Sequence, residues 1–323
     1  MVGRDVAGDR PLVPGPGDRF GFIGVTASQS KINAVFPRWV EVLGLDGVEL
    51  HPVDLPVGTP AEEYRRVVQA IRDDPRHHGA LVTTHKVRVF EAARDLFAEL
   101  DYYAELCSEL SCISKREGRL RGYAKDPITA GRAMEEFLPP NYFGETSADV
   151  LCLGAGGSGL AISIYLMTRP SVGDRPRRII LVNRSGPRLE QCREIHAHLP
   201  SVTTAVEYVK NESPERNQLL MESLPPGSLV INATGMGKDR PGSPLADGAA
   251  FPQGGIAWEL NYRGDLRFLE EARSQAEEHK LTIVDGWSYF VHGWSEVIAE
   301  AFGLELTPEV LERLSAEAEA VRL

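Results

Sequence analysis

Residues 150–159 read Val150-Leu151-Cys152-Leu153-Gly154-Ala155-Gly156-Gly157-Ser158-Gly159. Four apolar residues in a row predict a short buried strand. The glycines predict a tight turn, and the uncharged run continuing to Met167 predicts a buried helix. Eighteen residues without a charge would also suit a membrane span. Four glycines within six positions would break such a helix near its start, so a strand, a turn and a helix is the better reading. A G-x-G-x-x-G string is informative only at a strand-to-helix junction, and this one sits there. Gly154 permits the turn and Gly156 lets a pyrophosphate approach the backbone. Gly157 and Ser158 open the helix, whose amides and dipole favour an anion, and Gly159 allows close helix–strand packing.

The end of the next expected strand, Ile179–Val182, is followed by Asn183, Arg184 and Ser185, with Arg188 one turn further on. A site that prefers NAD usually carries a carboxylate here, on the ribose hydroxyls. A carboxylate would repel the 2′-phosphate of NADP, whereas a guanidinium binds it in a fork. Arg184 and Arg188, with Asn183 and Ser185 as hydrogen-bonding neighbours, therefore favour NADP over NAD.

Upstream, strand and helix patterns alternate. Strands are expected at Phe20–Thr26, Val48–Val53 and Gly79–Thr83. Helices are expected over Ser30–Leu43, Ala61–Arg72 and Lys86–Phe97. Two short strands flank the turn at Glu117-Gly118, and a helix from Thr129 to Leu138 ends at Pro139-Pro140. The segment through Ser147 has linker composition. This pattern predicts an α/β protein of two domains, which suits 323 residues at roughly 150 per domain. The expected organisation is a polar tail at 1–19, a domain at 20–138 completed by the helical segment 287–323, and a dinucleotide domain at 145–286.

Hydrophobic residues are 42% of the chain and the formal charge is −11. Such a chain can build a core, and its diffuse negative field disfavours nucleic acid as a partner. Cys107, Cys112, Cys152 and Cys192 match no zinc spacing and read as reduced, mostly buried thiols of a cytoplasmic protein. The polar start of the chain lacks the apolar segment of a secretion signal, and no membrane partner is expected. His77, His78 and His85 form the densest histidine cluster, but the first two fall in a loop-like polar run, so no metal site is expected. No G-x-S-x-G elbow or Walker A string is present.

Taken in chain order, these motifs resemble the shikimate dehydrogenases of the shikimate/quinate dehydrogenase superfamily, from about Gly24 to Gly303. Ser28-Gln29-Ser30 resembles the serine pair that holds the substrate carboxylate. Val82-Thr83-Thr84-His85-Lys86 resembles the segment ending in the catalytic lysine. Gly122-Tyr123-Ala124-Lys125-Asp126 resembles the segment ending in the catalytic aspartate. Asn183-Arg184-Ser185 with Arg188 resembles the NADP-selecting motif. Asn232-Ala233-Thr234-Gly235-Met236-Gly237 resembles the strand end beside the nicotinamide. Tyr262 matches a substrate-site tyrosine, and Gly286 begins the final motif.

The resemblance implies a substrate domain, a Rossmann-like NADP domain and helices returning to the first. It further implies Lys86 and Asp126 as an acid/base pair, with Ser28, Ser30, Thr83, Ser111 and Tyr262 on a hydroxylated ring carboxylate. Ala233, Thr234, Gly235, Met236 and Gly286 would then serve the cofactor. The default reaction is 3-dehydroshikimate to shikimate in aromatic amino acid biosynthesis. Quinate, an aminated analogue or another cyclitol acid is the alternative.

Several positions depart from the family pattern. Leu81 stands for an asparagine, the proline before the lysine is missing, and Ser111-Cys112 replaces Asn-Thr. Ala124-Lys125 replaces Asn-Thr before the aspartate, and Gly293 falls where the family has glutamine. Groups that would hold ring hydroxyls are shortened or lost, while Lys86 and Asp126 remain.

The residues alone leave alternatives open. Ser28 and Ser30 equally suit helix capping, Tyr262 a half-buried sheet aromatic, and Lys86 and Lys125 solvent exposure, which is the expectation for Lys125. A reading of a different class is a non-catalytic NADP(H)-binding sensor; a sensor has no need of the Lys86–Asp126 pair. A homodimer and a monomer each suit this fold.

Overall fold

The computed structural model describes residues 15–200, 203–238 and 240–322. Contacts divide the chain into two compact units. One runs to Lys125 and takes up the chain again at Gly293; the other is Asp126–His292.

The strands of the first unit are β1 (Arg19–Gly24), β2 (Glu49–Asp54), β3 (His77–Val82), β4 (Phe97–Leu100), β5 (Cys112–Arg116) and β6 (Arg119–Tyr123). They form one sheet in the order β2-β1-β3-β5-β6-β4. β1 pairs in parallel with β2 and β3, β5 runs antiparallel to both neighbours, and β4 lies parallel to β6. Helices α1 (Ile32–Leu43), α2 (Ala61–Asp73), α3 (Lys86–Ala93) and α4 (Tyr102–Cys107) connect them. Ile23, Val82, Ile113 and Leu120 of the sheet bury against Tyr64, Val68 and Ile71 of α2 and Val89 and Phe90 of α3. Removal of these side chains from water is the main stabilising term.

The second unit contains β7 (Val150–Leu153), β8 (Arg178–Asn183), β9 (Ala205–Lys210), β10 (Leu229–Asn232), β11 (Ile256–Glu259) and β12 (Thr282–Val284). Every pairing is parallel, in the order β12-β11-β10-β7-β8-β9. That is the order of a doubly wound dinucleotide fold, with its switch point between β7 and β10. β7, β10 and β11 are buried at every residue, as strands covered on both faces must be, whereas the edge strand β9 is only partly covered. The helices are α5 (Asp126–Glu135), α6 (Tyr142–Thr146), α7 (Gly157–Thr168), α8 (Gly186–Ala197), α9 (Pro214–Glu222), α10 (Arg267–Ser274) and α11 (Ala276–His279). A Cβ at Gly131 of α5 would collide with the Tyr165 ring, so this glycine lets α5 lie close to α7. Helix α12 (Trp287–Phe302) begins in this unit, and α13 (Pro308–Glu319) belongs to the first.

Several expectations need correction. The helix expected over Lys86–Phe97 stops at Ala93. A single 3-10 turn follows, and Phe97–Leu100 is an edge strand whose Phe97 lies opposite Leu120. The helix expected from Thr129 begins at Asp126, because Pro127 suits a first turn. His77 and His78 open β3 rather than a loop. Of the expected tail, 1–14 lies outside the described residues. Residues 15–19 are tied in: the Gly17 amide donates to Gly47 O, and Arg19 starts β1. The four cysteines are buried and form no disulfide. Among the described residues no helix is long and apolar enough to cross a membrane.

Candidate functional site

A cleft of about 450 Å³ opens at the carboxyl ends of β7, β8, β9 and β10, where doubly wound sheets bind ligands. Its floor is the glycine turn. Gly154 has φ +108°, and a Cβ there would strike the Ala233 carbonyl at the end of β10. A Cβ at Gly159 would strike the Gly154 carbonyl. Gly156, just ahead of α7, faces open space, where a Cβ would meet no atom within 4 Å. The turn is thus rigid where it touches the sheet and open where a pyrophosphate would rest on the α7 amides. The residues of the cleft fit a dinucleotide.

The two arginines differ in their attachments. Arg188 Nε donates to Ala155 O (2.7 Å) and its Nη1 to Gln191 Oε1 (2.6 Å), so this guanidinium braces the glycine turn. Ser185 caps α8, its hydroxyl accepting from the Arg188 amide, and Asn183 Oδ1 accepts from the Arg184 amide. Arg184 lines the cleft, and its guanidinium has no partner among the described residues. Asn211, Glu212, Asn217, Arg240 and Pro244 complete this wall of the cleft. Sequence reading missed these, although Asn211 before the Ser213-Pro214 helix start is a recognisable turn signal: Asn211 Oδ1 accepts from the Ser213 amide.

The other wall is Ala233, Thr234 and Met236, with Gly235 beside them at φ +73°. Asn232 Oδ1 accepts from the Thr234 amide (3.1 Å) and hydroxyl (2.6 Å), and the Thr234 hydroxyl accepts from the Met236 amide (3.1 Å). Beneath them lies Glu259, fully buried. It accepts from Asn232 Nδ2 (2.5 Å) and from the amide and Nδ2 of Asn261 (2.8 and 2.7 Å), while Asn261 Nδ2 also reaches Met236 O (3.0 Å). Burial pushes the Glu259 carboxyl up to about 7, against the opposing pull of those donors. Gly286 donates its amide to Asn261 O, and a Cβ there would strike the Leu260 carbonyl. Its place in the fold is therefore close packing beside this network. Tyr262 is half-buried against Trp287 and Phe290, with ring centroids 5.3 and 4.9 Å away.

In the first unit the topology gathers Ser28, Ser30, Thr83, Lys86 and Ser111 at the carboxyl ends of β1 and β3. Lys86 opens α3 just after Thr83, and its carbonyl accepts from the Leu110 amide. His85, ahead of it, is buried between Tyr64 Oη (2.9 Å) and Leu55 O (2.7 Å), so its ring fixes the loop. Ser111 is buried, and its Oγ accepts from the Lys125 amide (2.8 Å).

Lys125 is not solvent-exposed as expected. Its ammonium pairs with Glu300 and lies 4.9 Å from the Tyr123 ring centroid, because β6 delivers it against α12 within this unit. Ser28 donates both its hydroxyl (2.5 Å) and its amide (2.9 Å) to Asp54. Asp126 is buried at the start of α5, in the second unit.

A second hollow, of about 570 Å³, lies at the opposite end of the second sheet. The Arg178–Asp149 ion pair (2.7 Å) lines it, and no glycine turn or helix start faces it. Among the described residues no group of three His, Cys, Asp or Glu is placed to hold a metal ion.

This sheet order, glycine turn and cleft define an α/β protein of two units, the second with the doubly wound fold typical of dinucleotide-binding domains. No family model matches the chain. It is 24% identical over 220 residues to the shikimate dehydrogenase (NADP(+)) of Pyrococcus furiosus, covering 67% of this chain and 69% of that one. Quinate dehydrogenase from Corynebacterium glutamicum, solved in complex with NAD, superposes with a TM-score of 0.73 at 18% identity. That match covers 95% of this chain and all of the other. Shikimate 5-dehydrogenase from Listeria monocytogenes, solved with shikimate and NAD, gives 0.71 at 18% identity, over 93% and 95% of the two chains. The chain therefore shares the fold of the shikimate and quinate dehydrogenases, and part of its sequence is similar to one of them.

Proposed function

We propose that the protein is an NADP(H)-dependent oxidoreductase that interconverts a ketone and a secondary alcohol on a small hydroxylated ring. The observation that carries this reading is the cleft, in which an open glycine turn lies beside an unpartnered Arg184 and a tethered Arg188. Bound NADPH would supply the hydride. Lys86 would give the proton to the carbonyl oxygen and recover it in the oxidative direction, and Asp126 would orient it. Asn232, Thr234 and Met236 hold one another in a closed hydrogen-bonded loop, which fixes the wall against which a nicotinamide would rest.

3-Dehydroshikimate and shikimate are the reference pair, and Leu81, Ser111, Ala124, Lys125 and Gly293 are where another cyclitol would be selected. The relatives' names support both halves of this reading, as enzymes of shikimate or quinate that work with NADP or NAD. The test uses NADPH deuterated at its transferable position and a panel of ring ketones. Deuterium on the carbinol carbon of one product is expected. No label in any product, with the protein folded and NADPH bound, would overturn the reading.

A further inference from the structure

Asp54 ends β2 directly opposite Gly24, the last residue of β1, and its carboxylate reaches over the turn that follows β1. There it takes both donors of Ser28: the hydroxyl to one oxygen at 2.5 Å and the amide to the other at 2.9 Å. Ser28 has one hydroxyl proton and one amide proton, so neither remains for a second acceptor. The Ser28 hydroxyl, then its amide, hold the Asp54 carboxyl below the usual carboxylate range; the Ala27 amide adds to this. These hydrogen bonds favour the charged form of the group. The Asp54 carboxylate is thus bound directly to the Ser28 turn.

We propose that Asp54 is a specificity-determining residue, and that the substrate presents an uncharged, hydroxyl-bearing end to the Ser28 turn rather than a carboxylate. This rests on the oxidoreductase reading above and on that turn facing the substrate. An ionised carboxylate has about four acceptor sites; Ser28 uses two of them and the Ala27 amide engages a third. The lone pair that remains accepts a hydrogen bond from a substrate hydroxyl. A substrate carboxylate brought to the same place would find both Ser28 donors taken and a like charge about 4 Å away, which weakens binding about fivefold in water-like surroundings. The substrate class is a neutral polyhydroxylated ketone.

The experiment compares NADPH-dependent reduction of 3-dehydroshikimate and of its methyl ester by the full-length protein, by Asp54→Asn and by Asp54→Ser. The unsubstituted protein is expected to favour the neutral ester in kcat/KM by about tenfold. In both variants the acid-to-ester ratio is expected to rise tenfold or more. The acid gains through KM, and the ester loses through the missing acceptor. Preference of the unsubstituted protein for the acid, or a ratio unmoved in both folded variants, would overturn the inference and leave the oxidoreductase reading standing. Turnover of neither compound by protein that binds NADPH would overturn both.

Discussion

The two arginines of the cleft should separate cofactor choice from cofactor binding. Arg184 has no partner within the protein among the described residues, so its removal breaks nothing in the fold. If it holds the 2′-phosphate, Arg184→Ala removes a charge-assisted hydrogen bond of about 1.5–3 kcal/mol, which is about 10- to 150-fold in NADPH affinity. NADH lacks that phosphate and should be nearly unaffected. Arg188 also braces the glycine turn, through Nε to Ala155 O. Arg188→Ala should therefore weaken both cofactors. NADH should lose the about 0.5–1.5 kcal/mol of that neutral-acceptor bond, and NADPH more. Titration of each variant with NADPH and NADH, followed by nicotinamide fluorescence, gives the four affinities. Equal losses of NADPH and NADH in Arg184→Ala, or no loss of either, would refute the assignment of the 2′-phosphate to this residue.

Further outcomes follow from the same geometry. Gly154→Ala, at φ +108° and against Ala233 O, should lower unfolding free energy by at least the about 1–3 kcal/mol of a strained backbone position, and abolish cofactor binding; a denaturant titration reads the first. Glu259 binds a proton in the folded state up to about pH 7, but only up to its ordinary 4.5 when unfolded. Its contribution to stability therefore falls as pH rises from 4.5 to 7, by about 3 kcal/mol, and Glu259→Gln should remove that slope in urea midpoints taken from pH 4.5 to 8. His196, buried between Ser163 Oγ and Tyr208 Oη, is pushed down to about 4 by burial. It should act oppositely, with its contribution intact above pH 6.5 and lost as pH falls through 4. Lys125→Met leaves the Glu300 carboxylate without its ammonium and should destabilise the fold by about 2 kcal/mol or more in thermal melts.

The glycine turn was legible because its mechanism demands a local order of strand, turn and helix, and Val150–Thr168 delivers it. The alternation of strands and helices was legible for the same reason. Local signals failed where two patterns overlap. Val89, Phe90, Ala93 and Phe97 keep a helical spacing, yet pairing with β6 takes Phe97 into a strand. Long-range partners were beyond reach: Lys125 is held by Glu300, 175 residues away, and Ser28 by Asp54 on the neighbouring strand. Residue type alone leaves a lysine exposed and a serine free, and only the folded register supplies the acid that each one meets. Asn217 of α9, and Arg240 and Pro244 from the loop after β10, join the cleft in the same way, once β9 and β10 are in place.

We propose above that this chain moves a hydride between a nicotinamide cofactor and a ring ketone, with Lys86 as the proton donor. The most direct test follows NADPH absorbance with 3-dehydroshikimate and its neutral ester, for the unsubstituted protein and for Lys86→Ala, with NADPH affinity measured on both. Turnover is expected to fall at least about a hundredfold in Lys86→Ala, the usual scale of a lost general acid, while NADPH binding is retained. Equal turnover in both proteins, or none in either with NADPH bound, would contradict it.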